Sequence, residues 1–169
     1  MLLGENVNCQ LGEELTFRIK TPGWENLQIA CNGKLVATLP LSGEAQFMTY
    51  TPAECGDHSA LCVKNGATSK AAEFTVVCCQ AATEKSVYAP NETITVTASD
   101  GSGTKPISIA LMVTATSDTV LMRNLTPEEQ ETGKFTLSYD APGEYHLRIF
   151  FRNQNGFYRT DRKSLTITE

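Results

Sequence analysis

Residues 139–167 read YDAPGEYHLRIFFRNQNGFYRTDRKSLTI. The stretch gives a turn, an alternating strand, a second turn and another alternating strand. Tyr145, Leu147, Ile149 and Phe151 fall on one side of the first strand, and His146, Arg148, Phe150 and Arg152 on the other, the period of two that marks a half-buried strand. The same grammar occurs once earlier, in YTPAECGDHSALCVKNGATSKAAEFTVV over residues 50–77. Two copies of one hairpin pattern in 169 residues predict two small domains rather than one large one.

Working outward, Val7 and Cys9 make a short first strand, and Leu15, Phe17 and Ile19 alternate with Thr16, Arg18 and Lys20 in a second. Pro22 and Gly23 punctuate a loop that carries Trp24 at the edge of the core. Residues 27–39 read as two strands around Asn32-Gly33, a dipeptide that favours the positive backbone angles of a tight hairpin. A turn at Ser42-Gly43 and the strand AQFMTY close the set before the first hairpin. The stretch CCQAATEKS, polar and rich in small residues, reads as a linker. Beyond it the order repeats: ETITVTA, PISIALMVT and VLMRNL are strands, PEEQETG is the one charged stretch with the character of a helical turn, and KFTLSY leads into the second hairpin. Seven short strands per half, with turns at regular spacing, predict an all-β chain of two antiparallel β-sandwiches in tandem, over residues 3–79 and 83–169.

The bulk numbers exclude several functions. A net charge of −5 with acids spread along the chain argues against nucleic-acid binding, which needs a dense basic stripe. No apolar run is long enough to span a bilayer, so no membrane insertion is expected. The start MLLGENVN lacks the basic and apolar regions of a signal peptide, which leaves a cytosolic protein or a mature fragment whose targeting segment or anchor lies elsewhere; the strand pattern that begins almost at once favours the fragment. All six cysteines, Cys9, Cys31, Cys55, Cys62, Cys78 and Cys79, lie in the first half. That crowding fits disulfides in an oxidising compartment, with free buried thiols as the alternative. A four-cysteine zinc site would call for CxxC knuckles, and the chain has a vicinal pair instead. No metal or cofactor is expected.

Gly143-Glu144-Tyr145 before an alternating strand, an Asn/Gly turn from Asn153 to Gly156, and a last apolar strand resemble the tandem immunoglobulin-like domains of bacterial cell-surface and secreted proteins. The resemblance covers nearly the whole chain and implies a fold more than a function. It implies that Tyr145 ties the corner before the sixth strand to nearby backbone through its hydroxyl. His58, in Gly56-Asp57-His58, takes that place in the first half. The Cys-Trp-Cys core of antibody domains is absent. On the immunoglobulin-like strand order, Cys9, Cys55, Cys78 and Cys79 gather at one pole, which implies a disulfide from Cys78 or Cys79 to Cys9 or Cys55. Cys31 and Cys62 face inward on neighbouring strands, to pair or simply to pack.

Catalysis finds little support. Cys55 and His58 are close in sequence, but no third group or oxyanion donor accompanies them. His146 reads as a solvated side chain on an outward face. The best binding candidate is Arg148, Phe150 and Arg152, joined by Phe157 and Tyr158 from the next turn and strand. Strand register decides whether Tyr158, Thr160 and Arg162 or Arg159, Asp161 and Lys163 share that face. Such a basic and aromatic surface suits an acidic protein or an anionic glycan. The resulting expectation is a non-catalytic module pair, extracellular or on the cell surface, acting as a spacer, adhesion or protein-interaction region. The alternatives are an accessory region of a secreted enzyme, or carbohydrate binding by the second domain. The sequence leaves the oligomeric state open.

Overall fold

The computed structural model describes residues 7–42 and 47–169. The expected start at residue 3, the turn at Gly43 and residues 45–46 of the strand AQFMTY lie outside the described residues. The chain divides into two compact units, one ending at Cys78 and the other beginning at Cys79.

The first unit contains β1 (Val7–Gln10), β2 (Leu15–Arg18), β3 (Asn26–Cys31), β4 (Lys34–Pro40), β5 (Phe47–Tyr50), β6 (Gly56–Lys64), β7 (Ala67–Thr68) and β8 (Ala72–Val77). One sheet runs β1-β8-β6-β3-β4, with β7 folded back on β6, and the other pairs β2 with β5. The alternation in the sequence becomes the core directly. Leu15 and Phe17 from β2 meet Leu27, Ile29, Phe74 and Val76 from the larger sheet. Phe17 and Phe74 cross edge to face, with ring centroids 5.9 Å apart. Each such side chain contributes roughly 1.5–3 kcal/mol when fully buried. Asn32-Gly33 turns β3 into β4 with φ of 48° and 80°, as that dipeptide predicts.

The second unit contains β9 (Cys79–Thr83), β10 (Val87–Tyr88), β11 (Ile94–Asp100), β12 (Pro106–Val113), β13 (Thr119–Asn124), α1 (Pro127–Thr132), β14 (Lys134–Leu137), β15 (Gly143–Asn153), β16 (Gly156–Arg159) and β17 (Lys163–Ile167). Its sheets run β10-β17-β15-β12-β13, with β16 on β15, and β14-β11-β9. The stretch expected as a linker is therefore partly strand: residues 79–83 pair with β11 from Val96↔Thr83 to Asp100↔Cys79. The row Cys79-Gln80-Ala81-Ala82-Thr83 carries no alternating apolar signature, and its pairing comes from the edge of β11.

Both larger sheets have one order, and in both the first strand lies parallel to the last, β1 with β8 and β10 with β17. All other strand pairs are antiparallel. Each unit is thus an immunoglobulin-like β-sandwich, its strands sorted into two facing sheets around one core.

The one helix among the described residues is short and well signposted. Thr126 caps α1, accepting from the Glu129 amide, while Glu129 accepts from the Thr126 amide, and Pro127 opens the first turn. This is the reciprocal capping box. Glu129 also takes a two-pronged contact from Arg123 at 2.7 and 2.8 Å. Those hydrogen bonds, chiefly the one from Arg123, hold its carboxyl down at about 2. Gly133 ends the helix at φ 63°. A Cβ there would stand 2.3 Å from the Ala98 carbonyl oxygen, so only glycine fits.

Candidate functional site

The sequence-predicted surface centres on β15. Its register with β16 pairs Phe150 with Arg159, Phe151 with Tyr158 and Arg152 with Phe157. Its register with β17 pairs Leu147 with Lys163 and His146 with Ser164. From Phe150 to Leu147 the chain retreats three residues while the partner side advances four, from Arg159 to Lys163. The extra residue is a bulge. Within it the Ile149 amide donates to Thr160 Oγ1 at 3.1 Å, and the Thr160 amide donates back to the Ile149 carbonyl at 3.0 Å.

The hairpin register and that bulge together decide the composition of the face. Arg148, Phe150 and Arg152 project from β15 as expected, Phe150 and Arg148 half-buried and Arg152 exposed. Phe157 joins them, 66 % exposed, with the Arg152 guanidinium 5.0 Å from its ring centroid, a cation–π contact. Tyr158 does not belong to the face. It shares the inward parity of Phe151, stacks on that ring at 5.5 Å and is buried. Its hydroxyl donates to the Asp100 carboxylate, which ties one sheet of the sandwich to the other. Burial, together with that carboxylate, pushes the Tyr158 hydroxyl up to about 12. Its role is structural.

In place of Tyr158 the face gains Arg159 and Arg162, one from each of the two sets that the sequence left open. Burial first, then the nearby charges of Arg159 and Arg162, lower the Arg148 pKa. Among the described residues none of these three arginines makes a salt bridge to a carboxylate. Between Tyr145 and Lys163 stand Arg148, Arg152, Arg159, Arg162 and Lys163 against Asp161 alone. An acidic chain therefore gathers a net positive field on one sheet face, which Asp161 offsets only in part, the arrangement that draws anions.

His146 departs from its expected solvated state. It has the outward parity of Arg148, yet it is 1 % exposed. The reason is its place on the sheet's central strand, with Met112 opposite on one side and Ser164 on the other. Burial, then Arg162 and Arg148, lower its pKa, so the imidazole is held neutral. Its Nδ1 has no hydrogen-bond partner among the described residues.

At the matching corner of each sandwich the two structural candidates behave differently. The Tyr145 hydroxyl donates to the Ala141 carbonyl at 3.0 Å, the corner tie of such folds. His58 turns its ring back on its own strand, with Nδ1 3.0 Å from the Gly56 carbonyl. Since that oxygen only accepts, Nδ1 carries the proton. The ring stacks on Phe74 at 5.0 Å and is fully buried, which leaves it no access to a substrate.

Of the six cysteines, Cys55 and Cys78 form a disulfide, with Cα atoms 6.0 Å apart. Gly56 pairs with Val76, so the bridge closes the end of the β6–β8 ladder. The other four candidates are free thiols. Cys31 lies opposite His58 and Cys62 opposite Leu27. These positions are four residues apart along β6, roughly 13 Å at the rise of a strand, so Cys31 and Cys62 pack rather than pair. Cys9 lies opposite Val76, not Cys78, and is buried in the first core. Burial raises its thiol to about 11, and that of Cys79 to about 11 as well. Neither has the low pKa of a reactive cysteine.

No protein-family model and no curated protein matches the sequence. Solved structures do show similarity. The fibronectin(III)-like modules of Clostridium thermocellum CbhA match 98 % of this chain and 89 % of their own, at 16 % identity and a TM-score of 0.35. Tandem Ig repeats of Dlar match 99 % and 95 %, at 12 % identity and a TM-score of 0.35. Dimeric latent PorU from Porphyromonas gingivalis matches 98 % of this chain and 19 % of its own, at 10 % identity and a TM-score of 0.39. The strand orders and registers above, rather than these distant likenesses, define the fold. No helix among the described residues is long and apolar enough to cross a membrane.

Proposed function

We propose that the chain is a non-catalytic pair of immunoglobulin-like modules from an exported or surface-attached bacterial protein, a spacer or adhesion element whose second module touches an anionic partner. The observation that carries this reading is the arginine face. Arg148, Arg159 and Arg162 crowd one another with Asp161 as the one opposing charge near Arg148, and none of the three makes a salt bridge among the described residues. Phe150, Phe157 and the Arg152 stem add an apolar floor. Guanidinium groups suit carboxylate, sulfate and phosphate through paired hydrogen bonds, so the partner class is an acidic protein or an anionic glycan. The Cys55–Cys78 disulfide supports export, because such bridges persist in oxidising compartments.

A panel of sulfated, carboxylated and neutral glycans, run beside acidic peptides, tests the face. Binding of anionic members that drops at least about ten-fold in Arg148→Ala, and also falls in Phe150→Ala, is the expected result. Unchanged binding in both variants removes the reading. Thiol titration without reductant tests the compartment: four reactive thiols after unfolding are expected, and six would overturn the oxidised state.

A further inference from the structure

In the first module the loop around Pro22 and Gly23 leaves a cleft of about 240 Å³ beside Trp24, floored by Phe17, Ile19, Leu27 and Cys62. On the other flank of Trp24 lies a second, more open concavity of about 430 Å³, which shares Thr21 and Trp24 with the first. Arg18, Lys20 and Lys70 belong to the walls of the one, and Lys64 to the other. The Lys64 ammonium rests over the loop, 3.8 Å from where a Cβ on Gly23 would stand.

Charge makes this end of the module distinctive. Residues 1–78 contain eight acids and five bases, the bases being Arg18, Lys20, Lys34, Lys64 and Lys70. Four of those five surround Trp24. Among the described residues no carboxylate lines either concavity. A net-negative module has thus placed nearly all its cations around one half-buried aromatic ring and an apolar recess. Size narrows the occupant further. A cavity of roughly 150 Å³ holds benzene, so the cleft takes one aromatic or branched aliphatic side chain and little more. The second concavity leaves room for flanking chain.

We propose that the Trp24 end of the first module binds an acidic peptide segment, with one apolar side chain seated in the cleft and carboxylates facing Arg18, Lys20 and Lys64. An anchor in a pocket ringed by charge is how protein interfaces combine affinity with selection among partners. The site is separate from the arginine face and stands without it.

Trp24 is the only tryptophan in the chain, so its emission reports on this end of the module alone. The probe is a blocked pentapeptide with one phenylalanine between two pairs of glutamates, titrated into the full chain beside a twin with lysines for glutamates. A saturable change of Trp24 emission with the acidic peptide, and none with the twin, is expected. The double variant Lys20→Glu with Lys64→Glu should weaken it about ten-fold or more, and added salt should weaken it too. Lys34→Glu, beside the Asn32-Gly33 hairpin, and Arg148→Ala, in the other module, should leave it unchanged, so the two sites fail independently. All four exchanged residues are exposed or half-buried, which keeps folding out of the comparison. No emission change at millimolar acidic peptide overturns the proposal, as does equal binding of the twins or indifference to charge reversal. Phenylacetate binding as tightly as the peptide would overturn it in favour of a small-acid site.

Discussion

Removing the Cys55–Cys78 bridge should destabilise the first module selectively. The bridge joins residues 23 apart, and the loop-closure entropy withheld from an unfolded chain of that length is worth about 3 kcal/mol at 25 °C. For a module of this size each kcal/mol moves the melting temperature by roughly 4–8 °C. The double variant Cys55→Ala with Cys78→Ala should therefore melt roughly 12–24 °C lower in its first module. The double exchange is preferable to a single one, which would leave an unpaired thiol next to Cys79. Trp24 emission follows the first module by itself, because the second contains no tryptophan. Backbone hydrogen exchange in β11, β12 and β15 follows the second, which holds no disulfide and serves as the internal standard. Adding reductant to the unmodified protein should reproduce the loss. A shift under about 3 °C, less than 1 kcal/mol by the same conversion, would refute the reasoning, and so would an equal loss of protection in both modules.

Gly133→Ala should cost the second module about 2–3 kcal/mol, since the new methyl would meet the Ala98 carbonyl from a left-handed backbone; chemical denaturation measures it. Glu129 has its carboxyl lowered from 4.5 to about 2, so the unfolded chain takes up the proton first as pH falls. Its stabilisation is full above about pH 4.5 and lost by about pH 2, and Glu129→Gln should flatten that part of the second module's melting profile while costing about 1 kcal/mol at neutral pH. Tyr158→Phe should cost about 2 kcal/mol through the lost bond to the Asp100 carboxylate, yet leave anion binding at the arginine face unchanged. Reduced binding in that variant would put Tyr158 back on the face.

The residues that announced the fold are those whose local chemistry matches their place in it. Asn32-Gly33 turns a hairpin because both residues accept positive φ, and PEEQETG forms the helical turn its charge suggested, although the Thr126 cap that fixes its start came only with the structure. The face on β15 was legible in its own strand, since parity alone sorts Arg148 from Leu147. Its neighbours were not. The hairpin register that sets Arg159 opposite Phe150 puts Arg159 on the face in place of Tyr158, one extra residue between Arg159 and Lys163 brings in Arg162, and a bulge held by the Thr160 side chain leaves no periodic mark. Parity also says which way His146 points but not whether neighbours close over it. The cysteines show the same limit. The strand order carried Cys55 and Cys78 to one ladder end, while the register that separates Cys31 from Cys62 exists only in the folded sheet.

The parallel seam of the first module has a mechanical meaning. β1 and β8 run the same way, with rungs from Val7↔Phe74 to Gln10↔Val77. Tension on the chain to either side slides one strand lengthwise past the other, so the four rungs share the load instead of opening one by one like a zip. Were they to give way, the bridge at the end of the β6–β8 ladder would still withhold 23 residues of slack, about 80 Å of extended chain. A tether built this way resists a pull and, when it yields, lengthens by a bounded step.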